Sequence, residues 1–196
     1  MTDARTDSEL VTHDDELVLR AKTDRDAFGA LFDRYYPRVS QYCLRRLTDR
    51  TIAEDVTSEV FLQVASHLGA FAGRTETDFR RWLFRIATNA IAAHQRQSWR
   101  RAELRQDAAH RGQFDQTATD NPRDAEHDRL DWPAVHAAIA QLDEREQTIV
   151  TLRFFADCSH EEIADVVNST VGATRTALTR ALARLRETLH SLRPTE

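Results

Sequence analysis

The chain has few of the residues that turns, disulfides and metal sites need. Five glycines and four prolines among 196 residues are too few to punctuate a sheet built from β-hairpins. The two cysteines, Cys43 and Cys158, lie far apart without a CxxC partner, and the eight histidines are scattered singly. These absences favour an all-α chain and indicate neither a disulfide framework nor a metal site.

Long apolar runs are also missing. No stretch approaches the roughly 18 uninterrupted apolar residues of a transmembrane helix. The N-terminal segment MTDARTDSELVTHDDE is acidic, where a signal peptide would be basic and then apolar. We therefore expect a cytoplasmic protein without membrane insertion. No nucleophile and base are paired and no glycine-rich loop could cradle a nucleotide, so we expect neither an enzyme nor a bound cofactor.

Charge is unevenly distributed along the chain. The net charge of −5 argues against a nucleic-acid partner, since cations that neutralise phosphates supply nonspecific affinity. However, residues 79–101 hold six arginines and no acid, and residues 171–186 hold four arginines and no acid. Each stripe could be a solvated helix face. Because uncompensated charge costs self-repulsion, a phosphate partner is the better explanation.

Two helical segments flank a polar stretch. Apolar residues recur at helical spacing over residues 14–101 and again over residues 130–196. Residues 102–129 lose this periodicity and mix Asp, Gln, Thr, Asn and Pro, a composition too polar to bury a core. The sequence therefore predicts two helical domains joined by a flexible linker, preceded by a disordered acidic tail over residues 1–13.

Three apolar stripes organise the first domain. One begins at Ala27 and passes Pro37, and a second begins at Ile52. The third begins near Asp78 and contains Trp82, which we expect to be core rather than a platform for base stacking. The outward face of this third helix receives Arg81, Arg85, Asn89 and Arg96.

The second domain carries the pattern of a helix-turn-helix. A cap pattern begins at Asp143, and Ser159 with Glu162 forms a capping box before a short apolar helix. Residues 168–170, Asn-Ser-Thr, favour a turn. A long amphipathic helix follows, as in helix-turn-helix proteins. Its predicted inward side carries Val171, Leu178, Leu182 and Leu185, and its outward side carries Arg175, Thr176, Thr179 and Arg180.

Three blocks of sequence resemble a known family. AEDVTSEVFLQV (53–64) and FRRWLFRIATNAIAAHQR (79–96) resemble the conserved region two of extracytoplasmic-function sigma factors, which belong to the sigma-70 family. Residues 142–189, from LDEREQ to RLRETL, resemble their region four. The resemblance implies a region-two helical bundle, a region-four helix-turn-helix, and a protein that binds core RNA polymerase and directs promoter recognition and DNA melting.

The resemblance also implies partners and site residues. Asp55 and Glu59 would dock on the clamp coiled coil of the polymerase β′ subunit, the β flap would be a second polymerase contact, and anti-sigma factors are common partners in this family. The promoter −35 element would be read by Arg175, Thr176, Thr179 and Arg180. The −10 element would be opened and read by Arg74, Arg80, Arg81, Arg85, Asn89 and Arg96.

Four positions depart from the family pattern. Ser58 stands where glutamine is usual, and Ala93 where aspartate is common. Thr174 replaces a buried aliphatic residue, and Ala177 replaces a frequent arginine of the recognition helix. These departures leave open whether polymerase docking and the −10 and −35 preferences match those of relatives.

Several residues keep an alternative interpretation. Asp55 and Glu59 could be ordinary solvated acids four positions apart, and Asn89 could be a solvated residue rather than a DNA contact. The loop over residues 68–77 contains Phe71, Gly73, Arg74 and Thr75. It could accept a flipped base or serve as a plain connector.

Two other functions compete with the sigma factor. A helix-turn-helix activator would bind DNA without replacing the sigma factor and would need a dimer face or a ligand pocket. A helical adaptor without DNA contacts fits the basic recognition helix poorly. An activator should footprint on DNA alone, whereas a sigma factor needs core polymerase.

The linker length limits how far the domains separate. A free coil of about 28 residues spans roughly 30 Å and could reach about 95 Å at most. The −35 and −10 elements lie about 70 Å apart. We therefore expect the domains to be mobile or folded together when the chain is free, and to be spread only by docking on polymerase.

Overall fold

The computed structural model describes residues 13–47, 49–109 and 132–191, with side chains for all of these except 102–109. Most of the predicted acidic tail and residues 110–129 of the predicted linker lie outside this part of the chain. The described residues form eight α-helices, one short 3₁₀ turn and no strand, which confirms the all-α prediction. The helices are α1 (His13–Ala21), α2 (Arg25–Leu47), α3 (Arg50–His67), α4 (Glu76–Ala109), α5 (Trp132–Ala140), α6 (Glu144–Phe154), α7 (His160–Val166) and α8 (Val171–Ser191).

The first domain is formed by α1 to α4 around one apolar core. The stripe of α2 continues through Pro37, and Leu31, Tyr35 and Tyr42 are almost fully buried on either side of it. The Tyr42 hydroxyl lies 2.9 Å from the Thr88 hydroxyl of α4, which supplies the partner that a buried phenol needs. Burial raises the pKa of Tyr42 to about 12, so it remains neutral.

The inward side of α4 is wider than its predicted stripe. Phe84 is fully buried and meets Tyr42 edge to face, although the periodicity of the sequence predicts only Phe79, Trp82, Leu83, Ile86, Ala87, Ala90 and Ile91 as the apolar stripe of this helix. Trp82 is partly buried and stacks on Phe71 with ring centroids 4.7 Å apart. Trp82 therefore packs at the margin of the core, on the side of the loop that precedes α4.

Helix α4 is longer than its apolar stripe. It begins at Glu76, where the Thr75 hydroxyl accepts from the Asp78 amide at 3.1 Å and the Asp78 carboxylate accepts from the Thr75 amide at 3.2 Å. It ends at Ala109, eight residues inside the segment predicted as linker. These eight residues, AELRQDAA, are mostly strong helix formers, so the helix outlasts the apolar periodicity.

The caps of the second domain are confirmed. The Asp143 side chain accepts from the Glu146 amide at 2.8 Å and starts α6. At α7 both halves of the capping box are present: the Ser159 hydroxyl accepts from the Glu162 amide, and the Glu162 carboxylate accepts from the Ser159 amide. Asn168 adopts the left-handed conformation, with φ of 49°, in the turn before α8.

The predicted inward side of α8 needs one correction. Thr174, Leu178 and Ala181 are the buried residues of this helix, whereas Leu182 is 39% exposed. The buried positions are spaced four and three residues apart and define the stripe that faces α6 and α7. Leu182 lies about 100° around the helix from Ala181, so it falls outside that stripe.

The two domains pack against each other. Helix α7 lies on α4, and α6 lies on α2. The structure thus has the domains folded together, which is one of the two arrangements predicted for the free chain.

We expect the α7 cap to be a local source of stability. Ser159→Ala removes the hydroxyl that accepts the Glu162 amide and should lower the local free energy of unfolding of α7 by about 1 kcal/mol. Hydrogen exchange of the α7 amides measures this change. Ser66→Ala is the matched control, because its exposed hydroxyl bonds only to Leu62 O within α3. Equal protection in both variants would contradict the role of the cap.

Candidate nucleic-acid interface

The basic residues of α4 form one edge of the helix. Arg81, Arg85, Asn89 and Arg96 lie within about 80° of one another around the axis, opposite the buried stripe. Arg85, Asn89 and Arg96 are exposed, and Arg81 is partly buried. We call Arg81, Arg85, Asn89 and Arg96 the basic edge of α4. A linear array of guanidinium groups with an amide among them suits a phosphate backbone and base edges.

Arg80 lies beside this edge and is directed into the domain interface. Its side chain is only 16% exposed, and Nε lies 3.2 Å from Glu162 Oε1 of α7. Its terminal nitrogen donates to the Asp157 carbonyl at 2.6 Å. Burial disfavours the charged guanidinium, but the Glu162 and Glu76 carboxylates outweigh burial and raise the pKa of Arg80. Its predicted DNA contact therefore requires the domains to separate.

Two residues of the basic edge also meet α7. Arg81 forms an ion pair with the Asp165 carboxylate at 2.9 Å. Arg85 donates to the Asp165 backbone carbonyl at 3.1 Å. The structure thus brings three predicted −10 residues together under α7, while Asn89 and Arg96 remain exposed.

The loop before α4 is held by a residue that the sequence analysis did not select. Lys22 Nζ donates to the carbonyls of Phe71 and Gly73, each at 2.8 Å. A Cβ atom at Gly73 would lie 2.3 Å from the Phe71 ring, so only glycine fits this approach. Lys22 is the only lysine of the chain, and this rarity was the one feature of the sequence that could have drawn attention to it. Arg74 is exposed, and its backbone amide donates to Asp78.

The outward face of α3 carries the predicted polymerase contacts. Asp55 and Glu59 are both exposed, as is the departure Ser58. The Glu59 carboxylate accepts from Gln63 at 3.1 Å. Leu62 lies on the same face and is 69% exposed, although the sequence analysis did not select it. The sequence could have indicated Leu62, because it is an apolar residue at a position of α3 where the helical periodicity predicts a solvent-facing side chain.

The recognition face of α8 is open. Arg175, Thr176, Thr179 and Arg180 are all exposed, as predicted. The two threonine hydroxyls donate back to carbonyls one turn earlier at 3.0 Å, which leaves their oxygen lone pairs able to accept. Arg175 lies 3.6 Å from Glu161, an exposed pair of little strength.

Two departures from the family pattern are accommodated in α8. Thr174 is fully buried, and its hydroxyl donates to the Thr170 carbonyl at 3.0 Å, so the polar group is satisfied inside the core. Ala177 is partly buried against the core. Ala93 of α4 is exposed.

A second interdomain contact involves arginines that were not predicted. Arg46 is buried and donates to Gln147 Oε1 at 2.9 Å. The Arg45 guanidinium lies 3.8 Å from the centroid of Trp132 and 3.0 Å from His136 Nε2. Nothing in the local sequence distinguishes these two arginines from solvated residues at a helix end.

Models of two protein families match the chain. The family described as Sigma-70 region 2 matches residues 31–101, and the family described as Sigma-70, region 4 matches residues 133–185. The order of the matches follows the order of the two domains. Within the part of the chain that the structure describes, no helix is long and apolar enough to span a membrane.

Curated relatives extend the match over most of the chain. An ECF RNA polymerase sigma factor of Streptomyces coelicolor, BldN, is 35% identical over 172 residues, which are 87% of this chain and 63% of the relative. The RNA polymerase sigma-H factor of Pseudomonas aeruginosa is 32% identical over 186 residues, 91% of this chain and 95% of the relative. The chain thus spans less than two thirds of the first relative but almost all of the second.

Solved structures share the fold. CnrH, solved in complex with the cytosolic domain of CnrY, has a TM-score of 0.66 at 22% identity and covers 92% of this chain and 99% of its own. The sigma factor RpoE of Bartonella quintana, solved with the anti-sigma factor NepR, also has a TM-score of 0.66, at 21% identity, and covers 85% and 98%. At this identity the likeness concerns the fold alone.

We expect acidification to weaken the packing of the two domains. Burial, together with the charge of Arg45, holds the pKa of His136 below its ordinary value of 6.5. The packed state therefore favours the neutral imidazole, so its advantage is present above pH 6.5 and declines as pH falls towards the lowered pKa. The radius of gyration from X-ray scattering should rise between about pH 7.5 and 5.5. His136→Asn, which does not titrate, should reduce this rise; an unchanged rise would exclude His136 as its cause.

Proposed function

Because the chain belongs to the extracytoplasmic-function group of the sigma-70 family of RNA polymerase sigma factors, we propose that it uses the basic edge of α4 and the open face of α8 as separate promoter contacts. The chain is a sigma factor that directs promoter recognition, and the matches give no support to an activator that acts without replacing the sigma factor. The observation that carries the proposal is the pair of arginine faces, one on each matched region.

The −10 element is assigned to α4 and the loop before it. Arg81 and Arg85 would neutralise phosphates beside the melted segment, and exposed Asn89 could pair with a base edge. Arg96 continues the exposed part of the basic edge, and Arg80 would join it once the domains separate. The loop with Arg74 would receive an unstacked base, because Lys22 fixes its carbonyls and Phe71 and Trp82 form an aromatic wall.

The −35 element is assigned to α8. A helix with Arg175, Thr176, Thr179 and Arg180 on one exposed face fits the major groove, where arginine reads guanine through two hydrogen bonds. The buried residues of α8 anchor it on α6 and α7, so the face is held on a rigid support.

Core RNA polymerase is assigned to the outward face of α3. Asp55 and Glu59 would meet the clamp coiled coil of the β′ subunit, and exposed Leu62 supplies an apolar centre between charges. The second domain would contact the β flap. The chain would work in the cytoplasm, where the polymerase acts, and its role requires no catalysis or cofactor of its own.

An anti-sigma factor is a further proposed partner. The solved chains CnrH and RpoE are in complexes with the cytosolic domain of CnrY and with the anti-sigma factor NepR. We propose that this chain is also held by a protein of that kind.

Run-off transcription with purified core polymerase on genomic fragments would give the promoter motif and test the sigma activity directly.

We expect Arg81 and Arg85 to act in promoter opening rather than polymerase docking. In the holoenzyme, Arg81→Ala with Arg85→Ala should weaken open-complex formation by about tenfold or more, since two phosphate or base contacts are lost. Affinity for core polymerase should be retained. Arg50→Ala is the control, because Arg50 is exposed on α3 and paired with Glu54. An equal loss of core affinity would assign the two arginines to the fold or the polymerase interface.

We expect at least one arginine of the α8 face to read a base. Arg175→Ala or Arg180→Ala should lower promoter occupancy by roughly 5- to 150-fold, the range for a contact of about 1–3 kcal/mol. The comparison uses holoenzymes on a promoter with an intact −35 element and on one with that element scrambled. Arg145→Ala is the control, because Arg145 is an exposed arginine of α6 that lies outside the α8 face. If both variants lose the same factor on both promoters, the contacts are positional.

A further inference from the structure

We propose that the acidic side of α7 is an internal competitor of promoter DNA, and that Asp165 and Glu162 occupy the arginines of α4 until the domains separate. This inference rests on the proposed function, because it takes the basic edge of α4 to be the −10 surface. The first helix of the helix-turn-helix would thus mask the DNA contacts of the other domain.

The contacts place acceptors of the second domain against three arginines of α4. The Asp165 carboxylate pairs with Arg81 at 2.9 Å, and the Asp165 backbone carbonyl accepts from Arg85 at 3.1 Å. The Glu162 carboxylate lies 3.2 Å from Arg80. Charge-assisted pairs of this kind are the same interactions that arginine makes with phosphate oxygens. A DNA phosphate that pairs with the same terminal nitrogen of Arg81 must therefore displace the Asp165 carboxylate.

Asp165 has no evident role in its own helix. It lies one residue before the end of α7, where a negative charge opposes the helix dipole. Its carboxylate is about half exposed. The charge therefore costs α7 some stability, and the ion pair with Arg81 of the other domain offsets this cost. The Asp165 carboxylate thus has a favourable partner in the other domain.

The interface between the two domains contains buried polar groups that are not fully hydrogen-bonded, and this favours separation of the domains. Nε atoms of Arg46, Arg80 and Arg81 are buried, and among the described residues none of them has a hydrogen-bond acceptor in good geometry. Arg80 Nε is within ion-pair distance of Glu162, but its N–H is not directed at the carboxylate. Buried donors without acceptors are costly, so separation of the domains relieves this cost. DNA phosphates can then replace α7 at the same arginines.

The remaining interdomain contacts hold the two domains together but do not involve the arginines that α7 is proposed to mask. Arg45 stacks on Trp132, and Arg46 bonds to Gln147, both on the α2 side of the interface. These contacts leave Arg81 and Arg85 untouched. Variation of Asp165 therefore tests the masking without removing the residues that hold the domains together.

The first experiment measures closure and DNA affinity in the free, full-length chain. Asp165→Asn keeps the shape and removes the charge, Asp165→Arg reverses it, and Glu187→Gln on exposed α8 is the matched loss of one negative charge. Spin labels at Ser66→Cys and Ala183→Cys, both exposed, report the interdomain distance, while native Cys43 and Cys158 are buried. A fluorescent DNA duplex with a premelted −10 segment reports access to α4.

Asp165→Asn should lengthen the distance distribution and tighten DNA binding by about two- to fivefold, the worth of a partly exposed ion pair. Asp165→Arg should have the larger effect on both. Glu187→Gln should leave the distances unchanged and set the baseline for a general charge effect. If Asp165→Asn matches Glu187→Gln in both measurements, the masking is wrong.

A double-mutant cycle separates this inference from the function on which it rests. In the background Arg81→Ala with Arg85→Ala, Asp165→Asn should no longer tighten DNA binding beyond the Glu187→Gln baseline. The swap Arg81→Asp with Asp165→Arg should restore the short distance but not DNA binding. If the arginine variants weaken DNA binding while Asp165→Asn changes neither distance nor affinity, the proposed function stands and the masking is overturned. If the arginine variants bind DNA as the wild type does, the −10 assignment fails, and with it the masking.

Discussion

Helix α4 belongs to both halves of the molecule, and the rest of the structure depends on this sharing. Its apolar side completes the core of the first domain, where Phe79, Leu83 and Phe84 are almost fully buried. Its basic edge lies against α7 of the second domain. The packed core fixes the backbone of α4, so the points from which its arginine side chains extend are fixed as well. An acidic partner of these arginines must therefore approach that edge of the helix.

The interface between the domains has its cationic side chains on the first domain and their acceptors on the second. Among the described residues, arginines of the first domain donate to acceptors of the second domain. These arginines are Arg38, Arg45, Arg46, Arg80, Arg81 and Arg85. Such a contact is complementary but imperfectly satisfied, since several guanidinium nitrogens are buried without acceptors in the described residues. Interfaces of this polar kind between domains of one chain commonly permit relative motion. Under the proposed masking, Arg81 and Arg85 would serve α7 and promoter DNA in succession.

The two promoter faces differ in what restrains them. The α8 face is exposed, and within the described part of the chain its residues bond to their own helix and, through Arg175, form one weak pair with Glu161. The α4 face is partly covered, although Asn89 and Arg96 remain exposed. Recognition of the −35 element and opening at −10 are therefore subject to different constraints. With the promoter roles proposed for α4 and α8, separation of the domains would affect DNA melting more than reading of the −35 element.

The sequence by itself determined the all-α class, the inward faces of α2 and α3, the caps at Asp143 and Ser159, and the family, because these depend on periodicity and on neighbours a few residues apart. It also placed both arginine faces. It could not place Lys22 under the loop of Phe71, nor select Arg45 and Arg46, because their partners lie between 49 and 101 positions away in the chain. It predicted Leu182 as inward, and only the packing of α8 on α6 and α7 decided otherwise. That Arg81 meets Asp165 was likewise decided by the tertiary structure, since local sequence specifies which way a charge points but not what another domain brings to it.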